Sequence, residues 1–181
     1  MNNDYKTRVK RHQDRNCLFC EWLNSGKKGW DEFIEKQSYR LIWPDPEKKI
    51  PNEIPYVVIL TIEPKVAGHT LVIWKYPYDD ICDASKDRDF VRGIGEVISR
   101  YSQRLRERLL AEKVYPYSMC DHFEKKEYTT EHLHFHLLPR YPGAPKGEDL
   151  FGLHEKKAGV DWEATAHTMN QLAKLLRNDR T

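Results

Sequence analysis

One run in the chain alternates strictly between histidine and apolar residues, over positions 132–137. In an extended strand, successive side chains point to opposite faces of the sheet. The three histidines, His132, His134 and His136, therefore share one face, and the intervening Leu and Phe side chains share the other. An apolar face suits a buried core, whereas imidazoles are costly to bury and contribute little to packing. The run predicts a strand that packs on one side and presents a chemical site on the other.

The residues alone leave three roles open for this histidine row. If the three were ordinary structural residues, three of the eight histidines in the chain would have to occur at alternate positions by chance. As zinc ligands they would form a wide site, because their Cα atoms span about 13 Å along a strand. As catalytic groups at phosphorus they need no common coordination sphere. One neutral imidazole attacks there, and its neighbours orient it and donate hydrogen bonds to the phosphate oxygens.

The hydrophobic pattern predicts an α+β domain with antiparallel strands and two helices. Short apolar, β-branched runs predict further strands at 38–43, 56–62, 70–74 and 115–123. Apolar residues spaced three and four apart predict helices at 87–113 and 161–177. We expect a basic, flexible N-terminal tail at 1–15, the main domain at 16–155 and the C-terminal helix within 156–181.

Composition argues against several functional classes. The 30 Lys and Arg residues nearly balance the 28 Asp and Glu residues, which argues against a nucleic acid polymer as partner. No apolar run approaches the roughly 18 residues of a membrane span. The first residues also lack the apolar stretch of a secretory signal, so we expect a cytoplasmic protein without a membrane partner. Four cysteines in such a chain favour free thiols or a metal site over a disulfide scaffold.

The histidine row resembles the signature motif of the histidine triad (HIT) superfamily, in which three histidines alternate with apolar residues. The segment 68–73, Gly-His-Thr-Leu-Val-Ile, is similar to the strand that precedes the triad in that superfamily. The pair Cys17 and Cys20 resembles the Cys-x-x-Cys pair of zinc-bearing bacterial members, and the similarity covers residues 17–152. It implies the HIT-like fold, a five-stranded antiparallel sheet with two helices, and a homodimer whose sheets join into one of ten strands.

The resemblance also implies an activity and a role for each histidine. Members act as hydrolases or nucleotidyl transferases on phosphoramidates, phosphoanhydrides or dinucleoside polyphosphates, through a covalent nucleotidyl-histidine intermediate. By this match His134 is the nucleophile, and His136 assists at the phosphate and the leaving group. His132 orients the site, and His69 supports the triad from the neighbouring strand. The implied partner is a small nucleotide substrate.

Three further positions correspond to substrate contacts in relatives, and two of them depart from the family pattern. Thr129 matches a hydroxyl residue that contacts the phosphate. Asp121 stands where relatives carry Asn or Gln, and Thr61 stands where relatives carry Asp or Asn for the ribose hydroxyls. A carboxylate beside a phosphate is repulsive unless it is protonated or bridged by a cation. These departures support a second hypothesis, a non-catalytic module that senses a nucleotide or engages a protein.

The resemblance requires no cofactor but raises the question of a structural zinc ion. In zinc-bearing relatives two cysteines and the first triad histidine are ligands, which correspond here to Cys17, Cys20 and His132. The fourth ligand position falls at Pro77, which has no metal-binding atom on its side chain. Candidates for a substitute ligand are His12, His122 and Asp79. A histidine-liganded metalloprotein is therefore a third hypothesis.

Overall fold

An antiparallel sheet of five strands organises the chain, as the sequence predicts. The computed structural model describes residues 3–24, 26–48, 54–62, 64–118, 131–144 and 165–177. The strands are β1 (Leu41–Trp43), β2 (Tyr56–Leu60), β3 (Thr70–Trp74), β4 (Lys113–Tyr117) and β5 (His134–Arg140). They lie in the order β1-β2-β3-β5-β4. The helices are α1 (Asn3–Asp14), α2 (Leu18–Asn24), α3 (Gly26–Gln37), α4 (Ile81–Ala84), α5 (Arg88–Leu109) and α6 (Ala166–Arg177).

The pairing register gives the sheet two chemically different faces. His136 of β5 lies opposite Leu71 of β3, and His134 lies opposite Ile73. Residues directly opposite each other in an antiparallel pair point their side chains to the same face. Leu137, one residue further along β5, is fully buried in the main core on the other face. The predicted strand with one packed face and one imidazole face is therefore confirmed for His134 and His136, whereas His132 lies just before β5.

Helices cover both faces of the sheet, and their packing leaves the histidines bordered by the N-terminal helices. Behind the histidines, the main core joins β2, β3 and β5 to α5 and α6 through Val58, Val72, Leu137, Val97, Tyr101, Leu105, Met169 and Leu176. On the histidine face, α2 and α3 pack Phe19, Leu23 and Phe33 against Val57 and Ile59 of β2. Burying such apolar side chains is the main favourable term in folding. The triad thus lies beside a core formed by α2 and α3.

Helix α5 shows how local sequence sets the length of an element. The carboxylate of Asp87 caps its first turn by accepting hydrogen bonds from the backbone N–H groups of Asp89 and Phe90. The helix ends at Leu109, and the residue that caps it, Leu110, is left-handed with φ of 57°. It is shorter than predicted because the next residues turn into β4, where the N–H of Glu112 donates to β5. No helix in the described ranges is both long and apolar enough to cross a membrane.

The N-terminal segment departs most from the prediction. The expected flexible tail over residues 1–15 is wrong for its described part, which forms helix α1 and buries Val9 and His12. Arg8 pairs with the carboxylate of Asp83, which lies 75 residues further along the chain. Local sequence could not show that these basic side chains have acidic partners, because the partners come together only in the folded domain.

The predicted helix count was also too low. The expected two helices correspond to α5 and α6, whereas the described residues also hold α1 to α4. In α3 the apolar positions are few, and charged residues and glycines separate them, so the helical period is weak. Its Trp30, Phe33 and Ile34 pack onto the sheet beside α2. Tertiary packing therefore stabilises a helix that intrinsic preference does not favour.

Gly68, in the turn between β2 and β3, is expected to tolerate a side chain poorly. Its φ is +77°, and a Cβ atom there would lie 2.6 Å from Cδ1 of Leu109, the end of a flexible side chain that can move. We expect Gly68→Ala to lower the free energy of unfolding by about 1–2 kcal/mol, mainly through backbone strain. Gly95→Ala is the matched control, because the exposed Gly95 in α5 has no atom within 4 Å of such a Cβ. That change should stabilise by about 0.5–1 kcal/mol in urea unfolding; equal effects of the two changes would contradict the turn geometry.

Candidate active site and metal-binding cluster

Three imidazoles form a continuous row on the histidine face of the sheet, which we call the relay. His134 and His136 come from β5, and His69 is the residue that precedes β3. Nε2 of His134 lies 3.2 Å from Nε2 of His136. Nδ1 of His136 lies 3.0 Å from Nε2 of His69, although these residues are 67 positions apart in the chain. The fold therefore places the upstream histidine against the triad.

Hydrogen bonds to two backbone groups determine the tautomer of all three rings in the relay. The N–H of Lys65 donates to Nδ1 of His69 at 3.3 Å, so a neutral His69 has its proton on Nε2. His69 Nε2–H then donates to His136 Nδ1, and His136 Nε2–H donates to His134 Nε2. At the far end, His134 Nδ1–H donates to the carbonyl of His132 at 2.8 Å. Nε2 of His134 is consequently the nitrogen with the available lone pair.

Burial keeps these three rings neutral at pH 7. It lowers the pKa of His69 to about 3, and the nearby charge of Lys65 acts in the same direction. Burial lowers the pKa of His134 to about 4. It lowers the pKa of His136 to about 2, with further contributions from His134, His69 and Lys65. Nucleophilic attack by an imidazole requires the neutral form, which this environment favours.

Aromatic and hydroxyl side chains that the sequence did not indicate hold the two rings of β5 in place. Tyr117 stacks on His136 with a centroid distance of 4.7 Å and an angle of 5° between the rings. Phe19 lies edge-on to His134, with centroids 5.0 Å apart. Ser118 Oγ–H donates to the His134 carbonyl at 2.7 Å. The strand predicted at 115–123 suggested proximity, but only the β4–β5 register identifies these contacts.

His132 is turned away from the chain of imidazoles. Its Nε2–H donates to the carbonyl of Trp74 at 2.6 Å. Its Nδ1, which then has the lone pair, lies 3.3 Å from Sγ of Cys20. The side chain of His132 thus belongs to the cysteine pair, while its backbone carbonyl orients His134. One residue links the two parts of the site.

Four buried side chains form a cluster that fits a zinc ion. Each of His12, Cys17, Cys20 and His132 offers one ligand atom, and these atoms all lie within 4.8 Å of one another. Ligand atoms on a tetrahedral zinc ion are about 3.3–3.8 Å apart, so a small contraction would suffice. Two sulfur and two nitrogen ligands are typical of structural zinc sites. The bond from His132 to the Trp74 carbonyl is the kind of outer contact that orients a metal-binding imidazole.

The surroundings of His12 provide a separate test of that fit. Both ring nitrogens of His12 are buried without a hydrogen bond among the described residues, although Nε2 lies 3.0 Å from a carboxylate oxygen of Asp79. A buried polar atom left unsatisfied costs about 1–3 kcal/mol. A bond from one nitrogen to a metal ion would remove part of this cost. Asp79 itself is not in the cluster, and neither is Pro77.

The pKa values of the two cysteines shift in opposite directions. The hydrogen bond from the Cys20 thiol lowers the pKa of Cys17, and His12 and His132 act in the same direction against burial. The same hydrogen bond to Cys17, together with burial, raises the pKa of Cys20. The lowered pKa favours the thiolate form of Cys17, which suits a cation as neighbour.

The remaining predicted site residues divide between described and undescribed parts of the chain. Thr61 follows β2, is half-buried, and donates its N–H to the carbonyl of His69 at 3.0 Å. It therefore lies next to the relay, and its contact with substrate stays a prediction. Asp121, Thr129 and His122 lie outside the described residues.

The HIT domain family model matches residues 45–143, more than half of the chain. The protein belongs to the HIT domain family. In this HIT domain the matched segment contains His69 and the whole triad. His12 and the pair Cys17 and Cys20 precede it, so three of the four residues of the histidine and cysteine cluster come from outside the matched segment.

Solved structures share this HIT fold at low sequence identity. A zinc-bound histidine triad family protein from Mycobacterium smegmatis is 23% identical, with a TM-score of 0.54 over 89% of this chain and 90% of that one. A hypothetical histidine triad nucleotide-binding protein from Sulfolobus tokodaii is 18% identical, with a TM-score of 0.56 over 89% of each chain. A Hit-like protein from Bartonella henselae is 19% identical, with a TM-score of 0.52 over 70% and 82%. No curated protein matches the chain.

The buried imidazoles predict a loss of stability in mild acid. His69 has a folded pKa below its usual 6.5, so below pH 6.5 the unfolded chain binds a proton that the folded one does not. The free energy of unfolding should therefore fall as pH falls from 6.5 to 5. We expect His69→Gln to flatten this dependence by about 1.4 kcal/mol per pH unit.

Urea unfolding of both proteins between pH 5 and 7.5, with a chelator present, measures that difference. His167→Ala is the control, because His167 is exposed on α6 and should leave the slope unchanged. Identical slopes for the His69 variant and the parent protein would show that His69 is not held neutral.

Proposed function

We propose that this HIT domain protein is a hydrolase or nucleotidyl transferase that acts at a phosphorus atom of a nucleotide. The substrate class is a nucleoside phosphoramidate, a phosphoanhydride or a dinucleoside polyphosphate. The observation that best supports this proposal is the oriented lone pair on Nε2 of His134, fixed by the bond from Nδ1 to the His132 carbonyl. Such an oriented, neutral imidazole is an effective nucleophile near neutral pH.

The first step forms a bond between Nε2 of His134 and phosphorus, and the leaving group departs with the electron pair of its bond. The ring of His134 then has a positive charge, which the His132 carbonyl stabilises by accepting Nδ1–H. The Nε2–H of His136, which contacts His134 in the free protein, is released to donate to a phosphate oxygen. His69 keeps that ring in the required tautomer through its own Nε2–H.

The second step releases the nucleotide. Water attacks phosphorus, the bond between phosphorus and Nε2 breaks, and His134 recovers its lone pair while the surplus proton of the water goes to solvent. An alcohol or phosphate in place of water would give transfer instead of hydrolysis. Each step needs only groups that the relay already orients, which is why the fixed tautomers support the proposal.

We also propose a structural zinc ion bound by Cys17, Cys20 and His132, with His12 in the same cluster. When bound, the ion would supply a fixed cross-link and hold the His132 imidazole. It would take no direct part at phosphorus, because the side chain of His132 points to the cysteines while His134 points to His136.

The homodimer stays part of the proposal. β4 is an edge strand of the described sheet, so a second copy could extend the sheet through it. Pro116 within β4 is the type of residue found at sheet edges. Sedimentation velocity of the purified protein would distinguish a dimer from a 21.5 kDa monomer.

Loss of the attacking nitrogen should abolish turnover. We expect His134→Ala to lower the hydrolysis of adenosine 5′-phosphoramidate and of diadenosine polyphosphates by at least about 10³-fold. Initial rates at saturating substrate measure the effect, and urea unfolding shows whether the variant still folds. His167→Ala, on the exposed face of α6, is the control and should keep the parent rate.

Trapping the intermediate tests the mechanism independently of the variant. Mass spectrometry after an alkaline quench should find a nucleotidyl adduct on His134 of the parent protein during turnover. Unchanged hydrolysis by the His134 variant would refute the mechanism. Nucleotides that raise the melting temperature of a parent protein without turnover would instead favour the non-catalytic sensing module.

A further inference from the structure

Helix α1 has few apolar contacts to hold it on the domain. Among its described side chains only Val9 and His12 are buried. Its other contacts are the half-buried ion pair between Arg8 and Asp83, the ring contact between Tyr5 and Tyr76, and exposed pairs such as Arg11 with Asp79. Exposed ion pairs contribute little to stability. These contacts stabilise the docked helix only weakly, so a further interaction would be needed to hold it firmly on the domain.

His12 is the one buried polar side chain of α1 in the described structure, and it faces the cysteine pair. Its ring lies edge-on to that of His132, with centroids 5.7 Å apart. Its Nε2 lies 3.0 Å from a carboxylate oxygen of Asp79, and one of its nitrogens is within 4.8 Å of the sulfur atoms of Cys17 and Cys20. A buried imidazole with a free nitrogen beside two thiols and a second imidazole is in the position of a metal ligand.

We propose that His12 is the fourth zinc ligand and that zinc binding fastens α1 to the HIT domain. The proposal rests on the zinc ion of the proposed function and is independent of its catalytic part. In this chain Pro77 occupies the position that corresponds to the fourth ligand of zinc-bearing relatives, and a helix from outside the matched segment supplies the donor instead. Metal binding and docking of α1 are then one event, because the ligand is on the helix.

The docked helix also contacts the segment that leads into the triad. Arg15, just after α1, pairs with Glu131 at 2.8 Å, and Glu131 immediately precedes His132. The zinc cluster thus joins the N-terminal segment to His132, whose carbonyl orients His134, and the ion pair joins it to the neighbouring Glu131. Release of α1 would remove His12 from the first of these contacts.

Zinc affinity of three variants tests the ligand assignment. Titration against a competing chelator should show that His12→Ala lowers the affinity by at least about 100-fold. His12→Cys, which restores a ligand, should recover most of it. His167→Ala, an exposed histidine on another helix, should bind zinc as the parent does. The absorption spectrum of the cobalt-loaded protein should change in the Ala variant, since one nitrogen ligand is lost.

Hydrogen exchange of α1 tests the docking. In the parent protein, zinc should slow the exchange of the amides of residues 3–14, and a chelator should reverse this. In His12→Ala, zinc should leave these amides unprotected, while His12→Cys should restore protection. Neither measurement uses activity, so failure here is distinct from failure of the catalytic proposal.

Three outcomes would overturn the proposal. If the parent protein binds no zinc, the proposed metal site does not exist. Parent-like zinc affinity in His12→Ala would remove His12 from the ligand set. Equal protection of α1 with and without zinc would show that docking does not depend on the ion.

Discussion

A chain of hydrogen bonds between imidazoles, fixed at both ends by the backbone, determines the chemistry of this site. The N–H of Lys65 at one end and the carbonyl of His132 at the other leave only one arrangement of protons along His69, His136 and His134. Burial removes the alternative in which a ring is charged. A HIT domain folded this way therefore presents a lone pair without any side chain having to change protonation.

The first histidine of the triad has a different task from the other two. His132 uses its backbone to orient His134 and its side chain to join the cysteine pair. The proposed metal cluster and the proposed nucleophile are thus adjacent but chemically separate. His132 lies just before β5, so its side chain turns to the cysteine pair while its carbonyl still reaches Nδ1 of His134.

The sequence predicted the site better than it predicted the elements around it. The alternation at 132–137 and the segment around His69 identified the relay, because a period of two leaves little choice of face. The N-terminal helices were missed, because α1 and α3 depend on partners far along the chain, such as Asp83 for Arg8. The stacking of Tyr117 on His136 depends on strand register, which a single sequence does not specify.

By itself the sequence determined the family, the antiparallel sheet and the face that the histidines share, since these follow from local periodicity and motif. Only the tertiary structure decided the proton positions, because they depend on Lys65 and on distances between strands. It also decided that His12 joins Cys17, Cys20 and His132. No local sequence pattern indicates this group, because His132 is far from the other three residues along the chain. Local sequence determines which secondary structure and which face a residue has, whereas tertiary packing determines which distant groups it contacts.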